Sequence, residues 1–213
     1  MIEHIKNIES EIINLLILKS PFLKDLGLIT GKMGIALMFH IYGNRKQSHI
    51  YSDFANELLI DIWDEINSHI KLNFMDGLCG IGWSIEYLAQ NYYIEGNTNE
   101  ICGDIDLLIQ NDSLTLLTEN IVDLNLEDVL LYVKARELGA FQLNKQSPFK
   151  HVFLEELKYR CNKSNIRFNL NDVLSLNTLM KFIPEQGEIN LNTIYNSPLG
   201  LNGLSGFLLN KLK

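Results

Sequence analysis

The chain has 213 residues, 46% of them apolar and 21% charged, which is enough for one large core or two small domains and argues against a disordered or linker protein. Its formal net charge of −8 works against a phosphate backbone, and basic runs such as Arg45-Lys46 are too short to build a nucleic-acid face. No stretch reaches the ~20 apolar residues of a membrane span, Met1 to Lys6 lacks a cationic leader, and Cys79, Cys102 and Cys161 form no CxxC pair. The expectation is a cytoplasmic protein with no membrane or nucleic-acid partner and no disulfide framework.

Few prolines and long runs of Leu, Ile, Glu, Lys and Asn predict an all-helical fold. The first helix is predicted over Ile2 to Leu18, with Ile5, Ile8, Ile12, Ile13, Leu15 and Leu16 on its apolar face. Ser20-Pro21 stops it, because the residue before a proline is pushed out of the helical region. A second helix runs from Gly31 to Tyr42 and is expected to end at Gly43-Asn44. A third covers Ser48 to Ile70. Its buried stripe is Phe54, Leu58, Leu59, Ile62, Trp63 and Ile66, and Asp53, Glu57, Asp61 and Glu65 form a solvated acidic face.

A fourth helix opens at Gly77 and reaches Asn91. Gly96-Asn97-Thr98 breaks the chain, with Thr98 as the expected N-cap of a helix through Ile109. Further helices are predicted over Asn125 to Leu138, Pro148 to Cys161 and Asn171 to Phe182, with a last turn or two from Gly203. Ile166 to Leu170 alternates weakly and is the one strand candidate. No linker or low-complexity stretch appears, so residues 1–213 read as a single helical domain.

The most informative feature is an internal repeat. Gly31-Lys32-Met33-Gly34-Ile35-Ala36-Leu37, Gly77-Leu78-Cys79-Gly80-Ile81-Gly82-Trp83 and Gly203-Leu204-Ser205-Gly206-Phe207-Leu208-Leu209 share a Gly-x-x-Gly start. A degenerate copy, Asn125-Leu126-Glu127-Asp128-Val129-Leu130-Leu131, has lost both glycines. The first three starts in chain order, at 31, 77 and 125, are spaced by the length of a helical hairpin. Two glycines in a first turn let neighbouring backbones approach closely and allow an opening turn with positive φ. A set of such starts also directs backbone N–H groups toward one mouth, where an anionic or peptide ligand could sit. Gly31, Gly34, Gly77, Gly80 and Trp83 are therefore ligand-binding candidates, with core packing as the competing reading for each.

The candidates for chemistry are few. Cys79 lies in a helix-opening turn, where the helix N-terminus can lower a thiol pKa, yet a small buried residue is the plainer reading. Asp76 precedes a helix start and reads as an N-cap or as an acid/base group. His40 near the end of an apolar helix is a third catalytic candidate, with a structural role as the alternative. Trp83 and Tyr87, four apart, share a helical face. Asp104 and Asp106, two apart, cannot, and read as solvated surface.

The repeat resembles the lanthionine synthetase C-like (LanC-like) family. The strings that carry the resemblance are Gly31 to Leu37, Tyr51-Ser52-Asp53-Phe54-Ala55-Asn56-Glu57-Leu58, and Asp76-Gly77-Leu78-Cys79-Gly80-Ile81-Gly82-Trp83-Ser84-Ile85-Glu86-Tyr87-Leu88. Glu95-Gly96-Asn97-Thr98-Asn99-Glu100 with Asp104-Ile105-Asp106 adds a likeness to bacterial members found with peptide-modification systems. The resemblance covers about Gly27 to Asp106 and returns over Gly200 to Leu209. It implies an α/α toroid of inner helices ringed by outer ones. It also implies a zinc-activated peptide thiol that adds to a dehydrated serine or threonine to form a thioether ring. The family's cyclases hold zinc with one Cys and an adjacent Cys-His pair. Here no Cys-His dipeptide exists, and His4, His40, His49, His69 and His151 all stand apart from cysteine.

A seven-hairpin ring at roughly 48 residues per hairpin needs about 340 residues, and this chain supplies about four hairpins. It reads as a shortened relative, or as a piece whose other half lies elsewhere. An incomplete ring exposes apolar helix faces, which implies a partner protein or a homo-oligomer. Three readings stay open: a degenerate, zinc-free LanC-like protein that binds a peptide or partner protein; an active zinc-dependent thioether cyclase with an unrecognised site; and an unrelated α/α-toroid carbohydrate-active enzyme using paired carboxylates.

Overall fold

The computed structural model describes residues 2–67, 70–118, 124–166, 173–183 and 193–212, with the backbone only for 2–7 and 116–118. All regular structure among the described residues is helical: α1 Ile2–Lys19, α2 Lys32–Lys46, α3 His49–Glu65, α4 Leu78–Gln90, α5 Thr98–Ile101, α6 Gly103–Thr118, α7 Leu126–Gln142, α8 His151–Lys163, α9 Leu176–Met180 and α10 Leu204–Lys211. No helix among them is long and apolar enough to cross a membrane. The strand candidate does not form at Ile166, and 167–170 lie outside the described residues, as does His69.

The chain divides into two compact units. The first joins Met1–Ile66 to Lys181–Lys213, and the second is Asn67–Met180. In the first unit α2 packs against α3 and α10, and α10 also meets α1. Every residue of α2 from Lys32 to Gly43 is buried, whereas α3 buries Ala55, Leu58 and Ile62. A helix apolar on all sides has to lie inside, and one with a single apolar stripe covers it. The inner and outer roles thus follow from the two sequences.

In the second unit α4, buried throughout from Leu78 to Leu88, packs on α7, which is itself deeply buried. α7 buries Val129 to Val133, Ala135, Arg136, Gly139 and Ala140. All four helices that open on the Gly-x-x-Gly signature or its degenerate copy are the deeply buried ones.

The glycines at these starts serve space rather than positive φ. Gly31, Gly77 and Gly203 sit at N-cap positions with φ of −110°, −120° and −149°. A Cβ on Gly31 would run into Gly27 N and Asp25 O, one on Gly77 into Lys71 O, and one on Gly203 into Pro198 O. The preceding loop lies across each helix start and its carbonyls accept from the first helical amides. Lys32 N donates to Asp25 O (2.8 Å) and Met33 N to Leu26 O (3.2 Å). Leu78 N donates to Lys71 O (2.8 Å) and Cys79 N to Leu72 O (3.3 Å). Leu204 N donates to Pro198 O (2.8 Å) and Ser205 N to Leu199 O (3.2 Å).

The degenerate copy solves the same problem with side chains. Asn125 stands where the first glycine would be and Asp128 where the second would be. They form a capping box, in which Asp128 N donates to Asn125 Oδ1 (2.9 Å) and Asn125 N to Asp128 Oδ2 (3.2 Å).

Several boundaries differ from expectation. α2 does not stop at Gly43-Asn44. It continues to Lys46 and ends on Gln47 at φ 53°, because Gly43 is used mid-helix for the close approach of Ser52 on α3. Trp63 is 41% exposed, so it leaves the α3 stripe. Asp53 and Glu57 are solvated as expected, but Asp61 and Glu65 reach the buried Lys32, whose Nζ lies 3.5 Å and 3.0 Å from them.

The cap before α5 is Asn97, whose side chain accepts from Asn99 N, and Thr98 is buried instead. α6 then extends to Thr118, well past Ile109, and α9 is far shorter than the predicted 171–182.

Substituting Gly77 by Ala forces a Cβ into the Lys71 carbonyl and should cost about 1–3 kcal/mol, as overpacking does. Asn125→Ala loses the capping box and should cost about 1 kcal/mol. Urea-unfolding midpoints of the two variants measure both. A Gly77→Ala midpoint equal to wild type would remove the close-approach account.

Candidate functional site

The helix starts are occupied by the chain itself. With the first two amides of α2, α4 and α10 taken by upstream carbonyls, an anion aimed at Gly31 or Gly77 would have to displace protein backbone. Gly31, Gly34, Gly77 and Gly80 are all buried. Gly34 leaves room for Leu28 O and the Leu201 side chain. Trp83 is fully buried. Its ring lies 5.4 Å from Tyr87 and 5.6 Å from Phe74, and its Nε1 donates to Val173 O at 2.9 Å. These five residues are placed as core.

Each of the three catalytic candidates has its own surroundings. Asp76 is half-buried in the loop before α4. The N-cap position is Gly77, and Asp76 N donates to Asn73 Oδ1 at 2.9 Å. Cys79 is fully buried, and burial pushes its thiol well above the usual range, which reverses the expected lowering by the helix N-terminus. Burial raises Cys102 and Cys161 as well. A thiolate zinc ligand has to lose its proton. Among the described residues, no group of three or more His, Cys, Asp or Glu stands together to hold a metal ion. The described residues do not fit zinc. His40, 1% exposed on α2, has its pKa lowered to about 4 by burial, so it is neutral near pH 7.

The charged groups that the fold does bring together lie in the second unit. Tyr132 and Arg136, four apart on α7, face α6 and meet Asp106. Tyr132 OH donates to Asp106 Oδ1 (2.6 Å). Arg136 donates through Nε to Oδ1 (3.0 Å) and through Nη2 to Oδ2 (2.7 Å), in a bidentate fork. Arg136 Nη1 donates to Glu86 Oε2 on α4 (2.6 Å) and to Thr98 Oγ1 (3.1 Å), and Nη2 also reaches Asn99 Oδ1 (2.9 Å). Arg136 and Glu86 have no exposed surface, and Asp106 is 5% exposed. Burial works against the guanidinium charge, but the bonds to Asp106 more than offset it.

Asp106 was expected at the surface. It is instead the acceptor of this clasp, and only Asp104 is solvated. Sequence reasoning also missed Glu86 and Arg136. The available signal was position, since Arg136 continues the apolar stripe of Val129, Tyr132 and Val133 at helical spacing. A charge on such a stripe needs a buried partner.

Beside the clasp lies a cleft of about 510 Å³, between the α6 start and the α7–α8 loop. Asn99, Asp106 and Leu107 form one wall, and Lys145, Ser147 and Pro148 the other. Leu107 is 55% exposed, which gives the cleft an apolar face. Lys145 Nζ donates to Asn97 Oδ1 at 2.5 Å. Ser147 Oγ donates to Glu137 and accepts from Phe149 N, which fixes the loop. No protein-family model, curated protein or solved structure matches this chain. The LanC-like resemblance therefore rests on the sequence strings themselves.

Arg136→Met leaves two buried carboxylates unpaired and should cost about 3–5 kcal/mol. Adding Glu86→Met and Asp106→Leu to it should restore a large part of that, as read by urea unfolding. A separate outcome concerns His40, whose folded pKa of about 4 lies below its ordinary 6.5. The unfolded state therefore binds the proton more readily. The contribution of His40 is full above pH 6.5 and is lost as pH falls toward 4, by about 3 kcal/mol in all. His40→Met should flatten that window of the stability profile by the same amount, and an unchanged slope would show that His40 does not titrate there.

Proposed function

We propose that this chain is a zinc-free LanC-like helical-hairpin protein that binds a peptide segment in the cleft of its second unit. The observation that carries this reading is the cleft itself. Its size falls in the range of ligand sites, and an exposed leucine lies beside polar groups held in place by a fully bonded ion cluster. The buried helices that open on the repeated signature support the scaffold, with α2 and α4 as inner helices of LanC-type hairpins in a toroid-like array. The buried, protonated thiols favour binding over thioether chemistry. The carbohydrate-active alternative gains nothing from Glu86 and Asp106. The two carboxylates meet at one guanidinium, and Glu86 is closed to any sugar.

Panning a displayed library of linear peptides against the full-length chain tests the reading. Enriched peptides should lose about tenfold or more in affinity on Leu107→Asp, with the thermal midpoint kept within about 2 °C, since Leu107 is a surface residue. No enrichment, or affinity insensitive to Leu107→Asp, would count against the cleft. Stoichiometric zinc in the purified protein, lost on Cys79→Ala, would restore the cyclase reading.

A further inference from the structure

The walls of the cleft are chemically lopsided. Apart from Gln146, whose exposed amide carries an acceptor and donors alike, its side-chain acceptors are engaged. Asp106 Oδ1 takes Tyr132 OH and Arg136 Nε, and Asp106 Oδ2 takes Arg136 Nη2. Asn99 Oδ1 takes a second bond from the same Nη2. Ser147 Oγ accepts from Phe149 N and spends its own proton on Glu137.

Its donors remain available. Because Arg136 is a pure donor, it fixes the Asn99 amide with the oxygen turned toward the guanidinium, which leaves both Nδ2 protons for another partner. Lys145 carries three ammonium protons, and its bond to Asn97 uses one. Lys145 is itself exposed, so its ammonium can swing without disturbing the core. Charge is close to balanced. Arg136 is shared between Glu86 and Asp106, so the clasp keeps one net negative charge, and Lys145 brings the positive charge of the cleft lining. A ligand that fits has to bring acceptors for the Asn99 and Lys145 donors, with an apolar group for Leu107 and Pro148.

We infer that the cleft recognises a carboxylate on its peptide, through the Asn99 amide and the Lys145 ammonium, with the neighbouring side chain against Leu107. The inference rests on the peptide-binding reading of the same cleft and adds which group of the peptide is held. The carboxylate can come from a peptide C-terminus or from an acidic side chain. Arg136 is the positioning residue, since it sets which way Asn99 faces.

Three probes separate the cases when titrated into the ¹⁵N-labelled full-length chain and followed by amide shifts. They are acetyl-dileucine with a free carboxylate, its C-terminal amide, and an acetyl-leucyl-glutamate capped as the amide. The free acid should shift the Asn99 side-chain amide and the Lys145 backbone amide saturably, and bind about fivefold or more tighter than the capped dileucine. Lys145→Ala should remove that advantage and leave the capped peptide unchanged. Asn99→Asp keeps an oxygen for Arg136 but loses the donors, and should abolish binding of the acid while the fold survives.

Binding of the capped glutamate peptide at the level of the free acid shows that the site takes either carboxylate. Binding of the free acid alone assigns it to a C-terminus. Both support the inference. Equal affinity for acid and amide, still dependent on Leu107, would overturn the carboxylate and leave the peptide cleft standing. Tighter binding of the acid to Lys145→Ala would also overturn it. No shift at any cleft residue with any probe would remove both readings.

Discussion

A helix buried on every side has to satisfy the donors of its first turn without water. α2, α4 and α10 face this constraint, since the residues that open them are buried, whereas Asn125 and Glu127 at the start of α7 are exposed. All three answer it with a loop laid across the helix start. That answer needs the backbone of the loop to come so close that no Cβ fits, hence glycine at the N-cap. α7 caps its start with Asn125 and Asp128, and can do without glycine. Two sequence signatures that look unrelated are thus alternative solutions to one hydrogen-bonding problem.

The second unit carries a further constraint in Arg136. A guanidinium with no exposed surface is tolerable because its Nε and both Nη groups are bonded, and because Asp106 meets it as a bidentate partner. Those bonds tie α4, α5, α6 and α7 together through side chains rather than through apolar contact alone. Gly139 on α7 belongs to the same arrangement, since a Cβ there would collide with the Glu86 carboxylate. The cleft borrows its order from this cluster. Asn99 and Asp106 line it while both are held by Arg136, so the orientation of the lining is decided below the surface.

Much of the helical pattern was legible in the chain because helical periodicity is local. α1, α4 and α7 lie close to where their apolar spacing puts them. The misplacements have tertiary causes. Gly43 looked like a stop because glycine commonly ends helices, but the neighbouring Ser52 needs the space beside it. Thr98 looked like a cap, but its hydroxyl goes to Arg136 and Asn97 caps instead. Asp106 looked like surface because an acid on a helix usually is, and its partner lies thirty residues away.

The sequence by itself determined the all-helical class, the repeated helix starts and the buried character of the helices they open, since each depends on neighbours within one or two turns. Only the tertiary structure decided what the glycines are for, which carboxylates are buried, and where a ligand could enter. Those outcomes depend on which backbone, guanidinium or loop is brought alongside from far away in the chain. The burial of Cys79 shows the difference. Its position at a helix start is local and favours a thiolate, but the packing around it is long-range and keeps the proton on.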